Sequence, residues 1–301
     1  MGFDWKGDFE YMKSYIVRLD STYEDLEEWE KAFVLNDRLN EFVYMDPDNS
    51  SILLYQDLVQ YLNIQEEELE GLLSGKYRYT VSFNPFGIRV EDDENGVWFL
   101  KSDQLGFSAI GSVYQAFIDK ADEDDKELAR KNVSKWIFES RSIGGGFLWP
   151  MDYKDGNWIC NPQYNKTRGR NPIQDRVDMT LLDIRNCFCE VDKSRLLYQF
   201  NKREHMKKWL LHFGKGEDGF KKYIEFFSFS PFIDEIDGFP KELSNIENKV
   251  TDFWDCRYTK SLSDYDFETL KAILSNLNFL IVTRSKLMED IISKNSNREV
   301  K

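Results

Sequence analysis

Histidine is almost missing: the 301 residues hold only His205 and His212. Histidine is the side chain that titrates near neutral pH, so a histidine triad or an imidazole metal site would have to use one of these two. They stand two turns apart on a predicted helix within a basic stretch, which reads as a solvated or partly packed helix face. Cysteine is scarce as well, with Cys160, Cys187, Cys189 and Cys256. So few thiols in so long a chain argue against a disulfide framework. Cys187 and Cys189 have the look of a short metal motif, but on a helix positions i and i+2 point about 200° apart and cannot grip one ion. No metal ligand set is expected, and the thiols read as reduced core residues.

Long apolar runs are lacking too. The longest uncharged, apolar-rich run near the end, Ala272 to Val282, is about half a membrane span and contains Ser275, Asn276 and Asn278. The opening Met1-Gly2-Phe3-Asp4-Trp5-Lys6 has no basic region followed by an apolar one, and position 6 is Lys where a myristoylation signal needs Ser or Thr. A cytoplasmic protein without a membrane partner is expected. Recognised nucleotide signatures fail in the same way. Gly106 to Ser112 has the glycine spacing of a phosphate loop but lacks the lysine before the serine.

Positive charge is in deficit. Forty Lys and Arg face 54 Asp and Glu, a formal net charge of −14. That opposes a chain-wide nucleic-acid or anionic-membrane binder, because such ligands need a positive contact surface. The deficit is local: residues 1–135 carry 29 acids and 14 bases, whereas residues 136–301 carry 25 and 26. Within the second part, residues 166–222 hold 14 bases and 8 acids. This marks an acidic N-terminal region, 1–135, and a mainly helical region, 136–301, which are two units or one continuous domain.

Aromatic residues are abundant: Trp 8, Tyr 15 and Phe 23. They supply large apolar area to cores and to interfaces alike. Periodicity predicts helices at 21–40, 53–62, 109–119, 123–139, 175–188, 204–213, 217–227, 266–276 and 279–294. Tyr77 to Phe83 alternates as a strand, and Ile88-Arg89-Val90 and Val97 to Leu100 bracket an acidic turn as in a hairpin. Ile143-Gly144-Gly145-Gly146 suits a tight approach or a connection with positive φ, followed by a short buried strand at Phe147-Leu148-Trp149. The expected class is α+β, mostly helical with a small antiparallel sheet.

One polar constellation stands out, from Asn165 to Leu181. Asn165, Arg168, Gly169, Asp175, Arg176, Asp178 and Thr180 surround a predicted helix start. Arg offers planar, bidentate recognition of phosphate or carboxylate, and a helix N-terminus adds free N–H groups. Asp175 and Asp178 share one face of the first turn. As a site, Arg168 and Arg176 clamp an anion, an Asp serves as base or Mg²⁺ ligand, and Trp149, Trp158 and Tyr164 form a stacking wall. As a structural device, Asp175 caps the helix and the arginines neutralise acids elsewhere.

The motifs Ile143-Gly144-Gly145 with Phe147-Leu148-Trp149-Pro150, Asn165-x-x-Arg168-Gly169, and Ile173-x-Asp175-Arg176-x-Asp178-x-Thr180-Leu181-x-x-Ile184-Arg185 resemble an uncharacterised bacterial and prophage family. Asp46-Pro47-Asp48 and Ser102-Asp103 also fit, and the likeness runs over roughly residues 45–290. Gly146 stands where that family's pattern has a histidine. The resemblance implies no activity. The functional expectation is an interaction protein of a phage or mobile-element setting, binding a host or defence protein without a cofactor. The alternative is a nucleotide- or nucleic-acid-directed enzyme using Arg168 and Arg176 for phosphate and Asp175 or Asp178 as base or Mg²⁺ ligand.

Overall fold

Alternating apolar residues need a sheet to bury one face, and the first half of the chain builds it. The computed structural model describes residues 52–69, 76–83, 86–94, 96–105, 120–140, 142–154, 157–159, 177–191, 194, 209–251 and 265–296. Strands β1 (Tyr77–Phe83), β2 (Phe86–Asp92), β3 (Gly96–Gln104), β4 (Gly146–Lys154) and β5 (Asn157–Ile159) pair antiparallel in that order. Register places Tyr77 opposite Asp92, Val90 opposite Trp98 and Ser102 opposite Leu148. Because successive side chains alternate, Tyr77, Tyr79, Ile88, Val90, Trp98 and Leu100 share one face, and all six are buried. Helix α1 (Ile52–Glu68) packs on β1 and β2 with Leu54, Tyr55, Leu58, Tyr61 and Leu62 buried.

The composition boundary near residue 135 falls inside helix α2 (Lys126–Glu139), and β3 pairs with β4 across it. Sheet hydrogen bonds therefore bind the acidic part to the later part. The second half adds helices α3 (Val177–Phe188) and α4 (Gly216–Phe226) and a small hairpin of β6 (Lys241–Glu242) and β7 (Asn245–Lys249). Many of the abundant aromatics end up inside. Trp209, Phe213, Tyr223, Phe226 and Phe227 form one cluster of tilted and edge-on rings with centroids 4.9–6.3 Å apart.

The predicted pair of helices at 266–276 and 279–294 is one helix, α5 (Phe267–Ser296). Asp266 starts it: its carboxylate accepts the Thr269 N–H at 2.7 Å. No Gly or Pro interrupts the run. Asn276 and Asn278, which could have competed for the helix backbone, turn their amides outward to the carbonyls of Leu243 and Asn132. Helix α5 packs against α1, α2 and the 3-10 turn Ile143–Gly145. Among the described residues no helix is long and apolar enough to cross a membrane. The architecture is α+β with an antiparallel sheet. The helices predicted at 21–40 and 109–119 lie outside the described residues.

Candidate functional site

Of the polar constellation, Asn165, Arg168, Gly169, Asp175 and Arg176 lie outside the described residues, as do the side chain of Trp158 and the whole of Tyr164. Asp178, Thr180 and Trp149 are described, and all three are buried. Asp178 sits in the first turn of α3, where the free N–H groups of the helix favour a carboxylate. One of its oxygens accepts the Met179 N–H at 2.9 Å. The other accepts the Leu243 N–H at 2.9 Å. The carboxylate thus ties the start of α3 to the β6–β7 hairpin, across 65 residues of chain. Arg185, on the same helix, ion-pairs with Glu217 of α4 and lies 3.9 Å over the Phe239 ring. Trp149 stacks on Phe147 with centroids 5.4 Å apart, inside the protein.

The three glycines are explained by a close approach rather than by backbone strain, since none of them has positive φ. A Cβ on Gly144 would fall on the Ser285 backbone and hydroxyl, and one on Gly145 would fall on the Ser140 carbonyl. A Cβ on Gly146 would lie 2.6 Å from the Ser102 hydroxyl. That contact favours glycine at this position. The approach is held by Arg284 of α5, which is fully buried. Its Nη1 donates to the carbonyls of Gly144 and Gly146 at 2.7 and 2.6 Å, and its Nε donates to the Phe227 carbonyl at 2.9 Å. Burial lowers its pKa to about 10, so it stays charged at neutral pH. Arg284 was not legible from local sequence, because it stands about 140 residues from the glycines it serves.

The surface offers a different feature. Between Ile233 and Pro240, which form a β-bridge, the chain makes the turn Asp234-Glu235-Ile236-Asp237-Gly238. The Asp234 carboxylate accepts the N–H groups of Ile236 and Asp237 at 3.0 and 3.4 Å, and that of Asp237 accepts the Phe239 N–H at 3.2 Å. Backbone bonds from Asp234 to the Phe239 carbonyl and from Gly238 to the Asp234 carbonyl close the loop. Gly238 adopts φ +69°, open to glycine at little cost. Lys249 on β7 braces the turn, with its ammonium 2.5 Å from Asp237 and 3.7 Å from Asp234. Its hydrogen bond holds the Asp237 carboxyl below the usual carboxylate range. At the tip, Ile236 is 91% exposed. The Asp-x-x-Asp-Gly spelling carries this turn and is the signal that the sequence reading passed over.

Against known proteins, one family model, described as "Family of unknown function (DUF6994)", matches residues 28–267. All three motifs quoted above fall within that span. No curated protein and no solved structure matches the chain.

Proposed function

The chain belongs to DUF6994, and from its acidic turn we propose that it works as an interaction factor, docking Ile236 into a partner protein. The single observation that carries this reading is the rigidity of an apolar tip. An exposed isoleucine on a loose loop is ordinary and signifies nothing. Here the side chain is raised on a turn whose backbone is already fixed by two Asp carboxylates and a lysine brace. A fixed anchor loses little conformational entropy on binding, which is the economy that central interface residues exploit.

The chemistry of the partner follows from the rim. Asp234, Glu235 and Asp237 flank the tip, and Glu247 lies exposed on the neighbouring strand. The complementary surface is a small apolar pocket bordered by lysine or arginine. The net charge of −14 would steer such a partner from a distance. A host or defence protein is proposed in that role on the motif resemblance alone.

The catalytic alternative keeps Arg168, Arg176 and Asp175 as its carriers. Asp178 is already engaged by two backbone N–H groups.

The test compares the wild type with Ile236→Ser in affinity capture at physiological salt. Ile236 lies outside the core, so the variant keeps the fold. A stoichiometric protein partner recovered by the wild type and lost by the variant supports the reading. A wild type that recovers none, or a partner that the variant retains, removes it.

A further inference from the structure

The face of β1–β3 opposite the buried tyrosines carries a charge pattern that the acidic turn does not use. Side chains alternate along each strand, so Arg78, Thr80 and Ser82 of β1 share this face with Arg89 and Glu91 of β2 and with Val97, Phe99 and Lys101 of β3. Strand register sets them in rows. Arg78, Glu91 and Val97 make one row, and Thr80, Arg89 and Phe99 make the next. In the third, Ser82 pairs with Gly87, whose bare backbone lies against Lys101. Three cations therefore run diagonally, one per strand and one per row: Arg78, Arg89, Lys101. The strand spacing and the rise per residue put successive members about 8 Å apart at the backbone.

This is a local excess of positive charge against an acidic background. On this face the three cations meet one carboxylate, Glu91, whereas residues 1–135 as a whole carry 29 acids and 14 bases. Arg78, Thr80 and Val97 are exposed, and Arg89, Phe99 and Lys101 are half-buried. The side chain of Arg78 is 74% exposed. Glu91 ion-pairs with both Arg78 and Arg89 and so holds their heads side by side. Each guanidinium has five N–H donors, and one shared carboxylate leaves donors on both for a further anion.

We propose that this face binds single-stranded nucleic acid, its backbone crossing the strands along Arg78, Arg89 and Lys101. Thr80 and Ser82 add hydroxyl donors for phosphate on one side of the diagonal. Val97 and Phe99 add apolar surface for the flat bases on the other. An acidic peptide would match the cations but leave that apolar surface without use. The net charge of −14 repels a polyanion at long range, so the contact is short-ranged, salt-sensitive and on the order of 10 μM in strength.

Fluorescence anisotropy of a labelled thymidylate dodecamer, titrated with the full chain in low salt, tests this. Saturable binding is expected in the wild type. Arg78→Gln and Arg89→Gln should each weaken it about fivefold or more, because each removes one phosphate contact. Glu91→Gln should tighten it, because it removes the one negative charge on the face. All three positions are on the sheet surface, and circular dichroism checks the fold. A glutamate oligomer of the same length should compete poorly. Four results would each overturn the proposal: no saturable binding by the wild type, unchanged affinity in both arginine variants, looser binding by Glu91→Gln, or equal competition by the glutamate oligomer.

Discussion

Arg284 donates to the carbonyl of Gly146 at 2.6 Å, so a side chain from the C-terminal helix closes the glycine turn that opens β4. The same guanidinium lies 4.0 Å over the Phe229 ring. A buried charge is tolerable where hydrogen bonds replace water: here neutral backbone carbonyls take Nε and Nη1 and an aromatic face covers the guanidinium, while Nη2 is left without a partner among the described residues.

Replacing Arg284 by Met strips the donor from three buried carbonyls, those of Gly144, Gly146 and Phe227. The expected loss is about 3–5 kcal/mol, read as a lower urea midpoint. Lysine should recover little, since it lacks the fork that reaches all three. A loss below about 1 kcal/mol would mean that other donors reach these carbonyls.

The glycines should not respond alike. Gly144→Ala and Gly145→Ala push a methyl group into the backbone of Ser285 and Ser140, which cannot move cheaply. Each should cost several kcal/mol, on the order of 3 or more. Gly146→Ala meets a serine hydroxyl, so Ser102→Ala in the same chain should restore much of the loss. A double-mutant cycle with no coupling between positions 102 and 146 would contradict this.

Asp178→Ala leaves two N–H groups, of Met179 and Leu243, without their acceptor. Hydrogen bonds to a charged group are worth about 1.5–3 kcal/mol, and a stability loss of that order is expected in chemical denaturation. A variant of unchanged stability that loses a biological activity would instead place Asp178 in a ligand site.

Glu66 ties stability to pH. Burial raises its pKa from 4.5 to about 7, while Tyr79 pulls it the other way through a hydrogen bond. Between those values the folded state holds a proton that the unfolded state has lost. Stability contributed by this group therefore falls as pH rises from about 5 to about 7 and is level above. The full effect is at most about 3 kcal/mol. His212 acts oppositely: burial lowers its pKa, so its share of stability is lost as pH falls below its ordinary value of 6.5. Glu66→Gln should remove the first trend and keep the second, which thermal melts from pH 5 to 8 would resolve. Parallel profiles for the two proteins would show that Glu66 is solvated.

The strand at Tyr77–Phe83 was legible to the residue, because alternation and the Asn84-Pro85 break are both local signals. The hairpin around Glu91–Gly96 was legible for the same reason. Helices α3 and α4 followed from apolar spacing, and of the two readings of the glycine run, a close approach or a positive φ, the structure takes the first. The Arg and Asp motif was visible as a pattern, but of its charged and hydroxyl positions only Asp178, Thr180 and Arg185 have a described environment. Asp178 and Arg185 bind α3 to the hairpin and to α4.

Sequence alone determined the α+β class and the local elements, since backbone propensity and the spacing of apolar residues act over a few positions. It also set the acidic charge. Tertiary structure decided that α5 runs unbroken, that Arg284 serves glycines about 140 residues away, and that Glu66 meets Tyr79 and lies beside Tyr77. Those outcomes depend on which surfaces pack together. Packing chooses partners by shape and by the need to satisfy every buried polar group, and no short window of residues carries that information.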